Sequence, residues 1–255
     1  MRKIRVLHIL LLAVLLFCSC AHKSGHKKKE RESVRTSQVQ RRTERSRDYS
    51  NTERSSKYSS RSRKASGDIM TGAEIFRTYN DAVFMIYTSD GRGICQGSGF
   101  FVGPNGLAVS NYHVFDGSVL GAWIVKLPGD DENFYEISEL LHRDEDEDFI
   151  IFRVKDIRNN NYIPIAERRP NIGDRVYAIG SPQGLENTFS SGEVSQWRSR
   201  HLMQISAQID HGSSGGALLN EYGEVVGITS GTFAEGSQAN LNYAWSIEAV
   251  KGYLK

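Results

Sequence analysis

The chain has 255 residues, three cysteines and a net charge of only +2, but its charge is unevenly distributed. Residues 1–68 contain 18 Lys and Arg against 6 Asp and Glu, whereas residues 69–255 contain 14 against 24. The acidic longer part argues against nucleic-acid binding, which requires a basic face. Three cysteines are too few for a disulfide framework, so a hydrophobic core must stabilise the folded part. We expect no cofactor.

The first twenty residues have the pattern of a lipoprotein signal peptide. Three basic residues precede an apolar run at residues 6–18, which is too short to cross a bilayer as a helix. Ser19 is a small residue directly before Cys20. We therefore predict cleavage before Cys20 and lipidation of its thiol, which would make the protein a bacterial membrane-anchored lipoprotein in the periplasm or on the cell surface. An ordinary secretory signal is the alternative.

The next segment, residues 21–68, contains no Leu, Ile, Phe, Met or Trp. A segment with so few large apolar residues cannot offset its ordering entropy by burial, so we predict a basic, disordered tether. A plain solvated linker is favoured, and an electrostatic arm for anionic lipid or polymer is the alternative.

From residue 69 onward the sequence predicts ordered structure, which we expect to form one domain to residue 255. Residues 71–80 have the apolar spacing of a short helix, and residues 248–254 resemble a terminal helical turn. Asn105-Gly106 predicts a hairpin turn. Short β-type runs occur at residues 82–88, 98–102, 107–110, 122–127, 149–154, 175–179, 202–209, 224–230 and 242–247. Many short strands separated by turns predict an all-β barrel or sandwich.

Residues 212–216, Gly-Ser-Ser-Gly-Gly, are the first candidate for chemistry. A serine on a tight turn with free backbone N–H groups is suited to acyl transfer, although a flexible glycine loop is the simpler interpretation. The pattern also fits the nucleophile elbow of α/β-hydrolases, whose histidine follows the serine. No histidine follows Ser214, since the last is His211. The order His, Asp, Ser is therefore the one that a triad must have here.

His113 is the candidate base because it follows the predicted strand at residues 107–110, where polar residues interrupt the apolar run. Three other histidines compete but do not follow a comparable strand exit: His142, His201 and His211.

The candidate acid lies in an acidic run at residues 144–148. Such a run is usually a solvated loop, and its spacing matches no standard calcium loop. Asp148 differs from its neighbours because it directly precedes an apolar strand, which would carry its carboxylate partly into the interior. There it could orient an imidazole.

Together these blocks resemble the HtrA/Deg-type, trypsin-like serine proteases over residues 71–254. The matching blocks are GSGFFV, SNYHV, DFIIFRV, VYAIGSPQGLENTFSSGEVS, AQIDHGSSGGALLNEYGEVVGI and LNYAW. The resemblance implies a chymotrypsin-like fold of two six-stranded barrels, at about residues 69–165 and 166–255, with the site between them. It implies His113 as general base, Asp148 as orienting acid, Ser214 as nucleophile, and the N–H groups of Gly212 and Ser214 as oxyanion hole.

The resemblance also implies protein substrates and, by analogy, a homotrimer. Gln208 and Ile209 would form the floor of the substrate pocket and Ile228 a wall, giving a preference for small apolar side chains; barrel core is the alternative for both isoleucines. The PDZ domains that follow in typical members have no counterpart here, so we expect no regulation through such a module. A catalytically silent protease fold that binds a peptide or partner is the competing hypothesis.

Replacing Cys20 tests the anchor. A flexible chain of 48 residues has a root-mean-square reach of about 40 Å, which would hold the folded part clear of the lipid headgroups. Cys20→Ser should release the protein from membranes without changing its activity in vitro, as measured by fractionation after a high-salt wash. Retention of the variant in the membrane fraction would contradict lipidation at Cys20.

Overall fold

The computed structural model describes residues 67–119, 121–158, 160–185, 187–232 and 241–254. The predicted signal peptide, Cys20 and nearly all of the predicted tether lie outside the described residues. Within the described ranges, no helix has the length and apolar character needed to cross a bilayer.

Twelve strands of the described chain form two closed barrels. The first barrel is ordered β1-β2-β3-β6-β5-β4 and consists of β1 (Val83–Ser89), β2 (Ile94–Phe101), β3 (Leu107–Ser110), β4 (Ile124–Lys126), β5 (Tyr135–Asp144) and β6 (Phe149–Val154). The second is ordered β10-β11-β12-β9-β8-β7 and consists of β7 (Arg175–Gly180), β8 (Thr188–Trp197), β9 (Leu202–Ile205), β10 (Ala217–Leu219), β11 (Val225–Thr232) and β12 (Asn242–Ser246). All pairs of neighbouring strands are antiparallel.

Short helices stand at both ends of the described domain, α1 (Gly72–Tyr79) and α2 (Glu248–Lys251). The expected all-β class with two six-stranded, chymotrypsin-like barrels and short terminal helices is confirmed. Helix α1 begins with a capping box, in which the Thr71 N–H donates to Glu74 Oε2 at 2.7 Å and the Glu74 N–H donates to Thr71 Oγ1 at 3.3 Å. The Thr71 backbone hydrogen bond lowers the pKa of Glu74.

Three strands were not predicted from the sequence: β5, β8 and β10. Strands β5 and β8 each have ten residues but bury only one side chain apiece, Ile137 and Val194. Their polar composition therefore lacks the apolar alternation that marks a strand. The predicted strand at residues 202–209 ends earlier, at Ile205.

The largest part of the core lies between the two barrels. Phe100 and Ile151 from the first barrel join Ile179, Leu219 and Ile228 from the second in one cluster of fully buried side chains. Each such side chain contributes roughly 1.5–3 kcal/mol through its burial. Separate clusters fill the interior of each barrel, so the seam is apolar in its own right and holds the two barrels in one arrangement.

The turn between β2 and β3 places both Asn105 and Gly106 at positive φ, 57° and 74°, as the sequence predicts for this pair. A methyl group on Gly106 would collide with the carbonyl oxygen of Val154. We expect Gly106→Ala to destabilise the domain by about 2–4 kcal/mol, because backbone strain and overpacking add. Urea unfolding followed by tryptophan fluorescence measures this cost.

Gly117 provides a matched control for that substitution. It also has a positive φ, 70°, but nothing lies within 4 Å of a methyl group placed there. Gly117→Ala should therefore cost only about 1–2 kcal/mol, from strain alone. Equal losses for the two variants would show that the collision with Val154 is relieved by a small backbone movement.

Candidate active site

His113 stands at the rim of the first barrel, directly after β3. It lies in a single 3-10 turn, Tyr112–Val114, which Thr88 Oγ1 secures by donating to the Val114 carbonyl at 2.7 Å. The polar residues that end β3 are buried and paired, because Ser110 Oγ donates to the Ser98 carbonyl at 2.7 Å. The His113 side chain is 48% exposed, so its ring reaches the open side of the barrel.

Asp148 ends the turn between β5 and β6, and its carboxylate faces His113. The side chain is 14% exposed, and Oδ2 lies 2.9 Å from His113 Nδ1. The His113 backbone N–H donates to Oδ1 at 2.9 Å, and Ser230 Oγ donates to Oδ2 at 3.1 Å. An ionised carboxylate only accepts hydrogen bonds, so Nδ1 carries the ring proton and Nε2 is left with its lone pair.

The acidic run at residues 144–148 does not act as one group. Asp144 Oδ1 accepts the N–H groups of Asp146 and Glu147 at 3.0 and 2.9 Å and thereby builds the turn, while the Asp146 side chain is exposed. In the part of the chain that the structure describes, no three His, Cys, Asp or Glu side chains converge as a metal site would require. Only Asp148 of this run contacts His113.

Ser214 lies on the tight turn that leads into β10, and the turn needs its glycines. Gly212 and Gly215 have φ of 91° and 89°. A methyl group on Gly215 would collide with the Ser98 carbonyl oxygen on β2 of the first barrel. The turn is tied to that strand, since the Ser98 N–H donates to the Ser214 carbonyl at 2.8 Å and Ser98 Oγ donates to the Gly212 carbonyl at 2.7 Å.

The N–H groups of Gly212 and Ser214 make no hydrogen bond within the described ranges, whereas that of the intervening Ser213 donates to the Asp210 carbonyl at 2.9 Å. The His211 carbonyl accepts the Gln183 N–H at 2.8 Å. In a planar trans peptide the Gly212 N–H points the opposite way from that carbonyl. This arrangement leaves two neighbouring donors free for a ligand oxygen.

His113 and Ser214 line the same cleft, which has a volume of about 710 Å³. No hydrogen bond joins Ser214 Oγ to the His113 ring in the described structure. The hydroxyl instead lies toward Gly231, where an added methyl group would be 3.3 Å from Oγ. The structure therefore brings His113 and Asp148 into contact and places Ser214 on the cleft that they border.

The expected pocket residues separate into two groups. Gln208 and Ile209 line the cleft, but Ile228 is completely buried in the core between the barrels. The expectation that Ile228 forms a wall is wrong, and the alternative of a core position is what the structure has. Side chains alternate along a strand, so the next residue of β11, Thr229, lines the cleft instead.

Sequence reasoning missed four polar residues that surround these groups. Ser230 contacts the Asp148 carboxylate, Asn111 Nδ2 donates to the Asp148 carbonyl at 2.8 Å, Ser190 Oγ donates to the Gln208 carbonyl at 2.8 Å, and Asn242 borders the cleft. Serine and asparagine are common residues, and the partners of these four lie 18 to 82 positions away where a bond is formed. A polar pair inside the apolar run of β11, Thr229 and Ser230, was the one available signal.

Comparison with known proteins finds relatives among the serine endoproteases. A Probable periplasmic serine endoprotease DegP-like of Rhizobium meliloti (strain 1021) is 34% identical over 164 residues, which are 60% of this chain and 31% of that protein. The Periplasmic serine endoprotease DegP of Escherichia coli (strain K12) is 31% identical over 166 residues, 61% of this chain and 34% of that protein. The chain thus spans about a third of the length of these curated relatives.

A solved structure shares the fold. The crystal structure of the serine endoprotease from Yersinia pestis superposes with a TM-score of 0.63 at 28% identity, covering 72% of this chain and 65% of that chain. The resemblance to HtrA/Deg-type proteases is thereby confirmed. The family described as Trypsin-like peptidase domain matches residues 97–228, a segment that includes His113, Asp148 and Ser214. The chain therefore belongs to the trypsin-like peptidase domain family.

Proposed function

We propose that this chain is a serine endopeptidase that hydrolyses peptide bonds of extracytoplasmic proteins, with unfolded segments as its preferred substrates. The observation that carries the proposal is the contact between His113 Nδ1 and the Asp148 carboxylate at 2.9 Å, at the border of the cleft that Ser214 also lines. The family and the names of the relatives, which are serine endoproteases described as periplasmic, support the same chemistry and location.

The mechanism assigns one role to each group. The Asp148 carboxylate accepts a hydrogen bond from Nδ1–H of His113, which leaves Nε2 free to accept the proton of Ser214. In the first step Ser214 Oγ turns from Gly231 toward His113 and attacks the peptide carbonyl carbon. The proton on His113 then passes to the leaving amine, and water clears the acyl-enzyme by the reverse sequence of transfers.

The negative charge that develops on the carbonyl oxygen needs donors that are already in position. The N–H groups of Gly212 and Ser214 fill this role in the proposal because they lie two residues apart on one turn and are otherwise unused among the described residues. The loss of one donor in such a site typically reduces kcat by about 10²–10³-fold. The bond from the Gln183 N–H to the His211 carbonyl supports the geometry of this oxyanion hole.

The triad is tested by alanine substitution. Ser214→Ala should keep the fold and reduce turnover by about a millionfold, and His113→Ala should cost a similar amount because the residues act as a unit. Asp148→Ala should lose somewhat less. Hydrolysis of an unfolded protein substrate measures turnover, and covalent labelling by a fluorophosphonate probe reports Ser214 directly.

Asp146→Ala is the matched control, because Asp146 belongs to the same acidic run but is exposed. It should retain wild-type turnover. If this variant loses activity while Asp148→Ala stays active, the assignment of Asp148 as the orienting carboxylate is wrong. Failure of the wild-type chain to react with the probe would favour the competing hypothesis, a catalytically silent fold that binds a peptide or partner.

The pocket proposal is a preference for small apolar side chains such as Val, Ala and Ile. Ile209 lines the cleft and is nearly buried, while Gln208 offers no charge to a basic side chain. The Asp210 carboxylate also borders the cleft, where it accepts Gln183 Nε2 at 3.0 Å. With a neutral side chain at position 208, a basic side chain would lose its hydration without meeting a carboxylate at the pocket floor. Discrimination among apolar groups should be shallow, about 1–3 kcal/mol per methylene.

Cleavage profiling of a denatured proteome tests this preference, and Gln208→Asp sharpens the test. The wild type should cut after small apolar residues, and the variant should gain cuts after Lys and Arg because a carboxylate then stands at position 208, on the proposed pocket floor. Gln196→Asp is the control, since Gln196 is exposed on β8 and does not line the cleft. Dominant wild-type cuts after Lys, Arg or Glu would overturn the pocket assignment.

The proposal places the enzyme outside the cytoplasm, held to a membrane through lipidated Cys20. Support for this anchor comes from the sequence alone, namely a short apolar run that ends before a small residue and a cysteine. A homotrimer is proposed only on the HtrA/Deg resemblance, and light scattering of the purified chain measures its mass directly.

A further inference from the structure

We propose that Glu147 and His201 form a positioning pair in which His201 of the second barrel holds the backbone that leads into Asp148, the carboxylate that orients His113. This inference rests on the proposed peptidase function. Glu147 precedes Asp148 in the β5–β6 turn of the first barrel. His201 lies in the connection between β8 and β9 of the second barrel. Glu147 Oε1 is 2.9 Å from His201 Nδ1, so the pair bridges the seam one residue away from the acid.

Asp148 needs such support because its backbone is strained. Its φ is 46°, in the left-handed region that is unfavourable for a residue with a side chain. Strained backbone persists only where the surroundings hold it in place. The Asp148 carbonyl is held by Asn111 Nδ2 at 2.8 Å, and the strand β6 fixes the residues that follow. Glu147 is the residue that must be held on the preceding side.

The pair is well shielded from water. The His201 side chain is 15% exposed and that of Glu147 is 33% exposed. The buried Nδ1 of His201 and Oε2 of Glu147 make no hydrogen bond of good geometry, so the 2.9 Å approach of Oε1 to Nδ1 is a close polar contact rather than a linear hydrogen bond. Removal of one partner would leave the other poorly solvated, a change that costs more than the loss of an exposed pair.

His201 is itself fixed to the second barrel. Its carbonyl accepts the Ser246 N–H at 2.7 Å, at the end of β12, and its own N–H donates to Ser199 Oγ at 3.3 Å. The Leu202 N–H donates to the same hydroxyl at 3.1 Å. The fixed imidazole can therefore restrict the position of the Glu147 side chain and, through it, of the backbone that leads into Asp148.

Three other charged groups, Arg200, Glu248 and Lys251, line the adjoining hollow together with His201. Lys251 Nζ donates to the Glu167 carbonyl at 2.9 Å, and the ion-pair contact of Glu147 is with His201. On the Glu147 side, the remaining carboxylates of the acidic run build the turn, contact His113 or face solvent. His201 is thus the partner to which the structure assigns Glu147.

The experiment uses the full chain with Glu147→Gln, His201→Gln, the double variant and His201→Lys, which places an ammonium group opposite Glu147. Each single Gln variant should lower kcat and the rate of fluorophosphonate labelling about tenfold, with KM within about twofold of wild type. The double variant should lose no more than about twofold beyond either single, because the two residues act through one contact. His201→Lys should recover most of the loss.

A spectroscopic readout separates positioning from stability. The strongly downfield Nδ1 proton resonance of His113 reports its bond to Asp148 and should broaden or shift in both Gln variants while the thermal midpoint changes little. Asp146→Asn and Arg200→Gln, exposed neighbours of the two partners, are the controls and should match wild type.

Two results would overturn the inference. The first is wild-type kcat and an unchanged His113 resonance in the single Gln variants, even if their thermal stability falls. The second is a double variant whose loss equals the product of the two single losses. If the wild-type chain neither turns over substrate nor labels, the proposed function fails instead, and the resonance still decides whether Glu147 and His201 position Asp148.

Discussion

Ser98 is the residue through which the two barrels are joined at the site. It is completely buried on β2 of the first barrel, yet all of its polar groups are used. Its N–H and hydroxyl donate to the Ser214 and Gly212 carbonyls, its hydroxyl also accepts the Ser181 N–H at 2.9 Å, and its carbonyl accepts Ser110 Oγ. Each of these bonds contributes about 0.5–1.5 kcal/mol, and each would cost more than that if one partner were left unpaired.

This arrangement determines how the serine turn meets the histidine. Ser214 belongs to the second barrel and His113 to the first, so their separation depends on how the barrels are docked. The bonds from Ser98 hold the serine turn against β2, and Gly215 allows an approach closer than any side chain would permit. The apolar core between the barrels supplies most of the burial, while these polar contacts select one relative position among the many that an apolar seam would allow.

The acid is also held from both sides of the seam. Its carboxylate receives the His113 N–H from its own barrel and the Ser230 hydroxyl from β11 of the other barrel. These donors hold both carboxylate oxygens in place at a partly buried position. The orientation of the imidazole is therefore a property of the assembled barrels rather than of the β5–β6 turn alone.

The sequence by itself predicted the fold class, most strands and the candidate triad. Apolar runs marked the buried strands, Asn105-Gly106 marked its turn, and the order of His113, Asp148 and Ser214 excluded the α/β-hydrolase arrangement. Only the tertiary structure decided that β5 and β8, two strands of mostly polar composition, complete the barrels. It also decided that Ile228 lies in the core rather than in the pocket. It alone brought Ser98, Asn111 and Ser230 to the site. These contacts join residues far apart in the chain, and a hydroxyl or amide has no local signature because its role depends on the partner that packing brings to it.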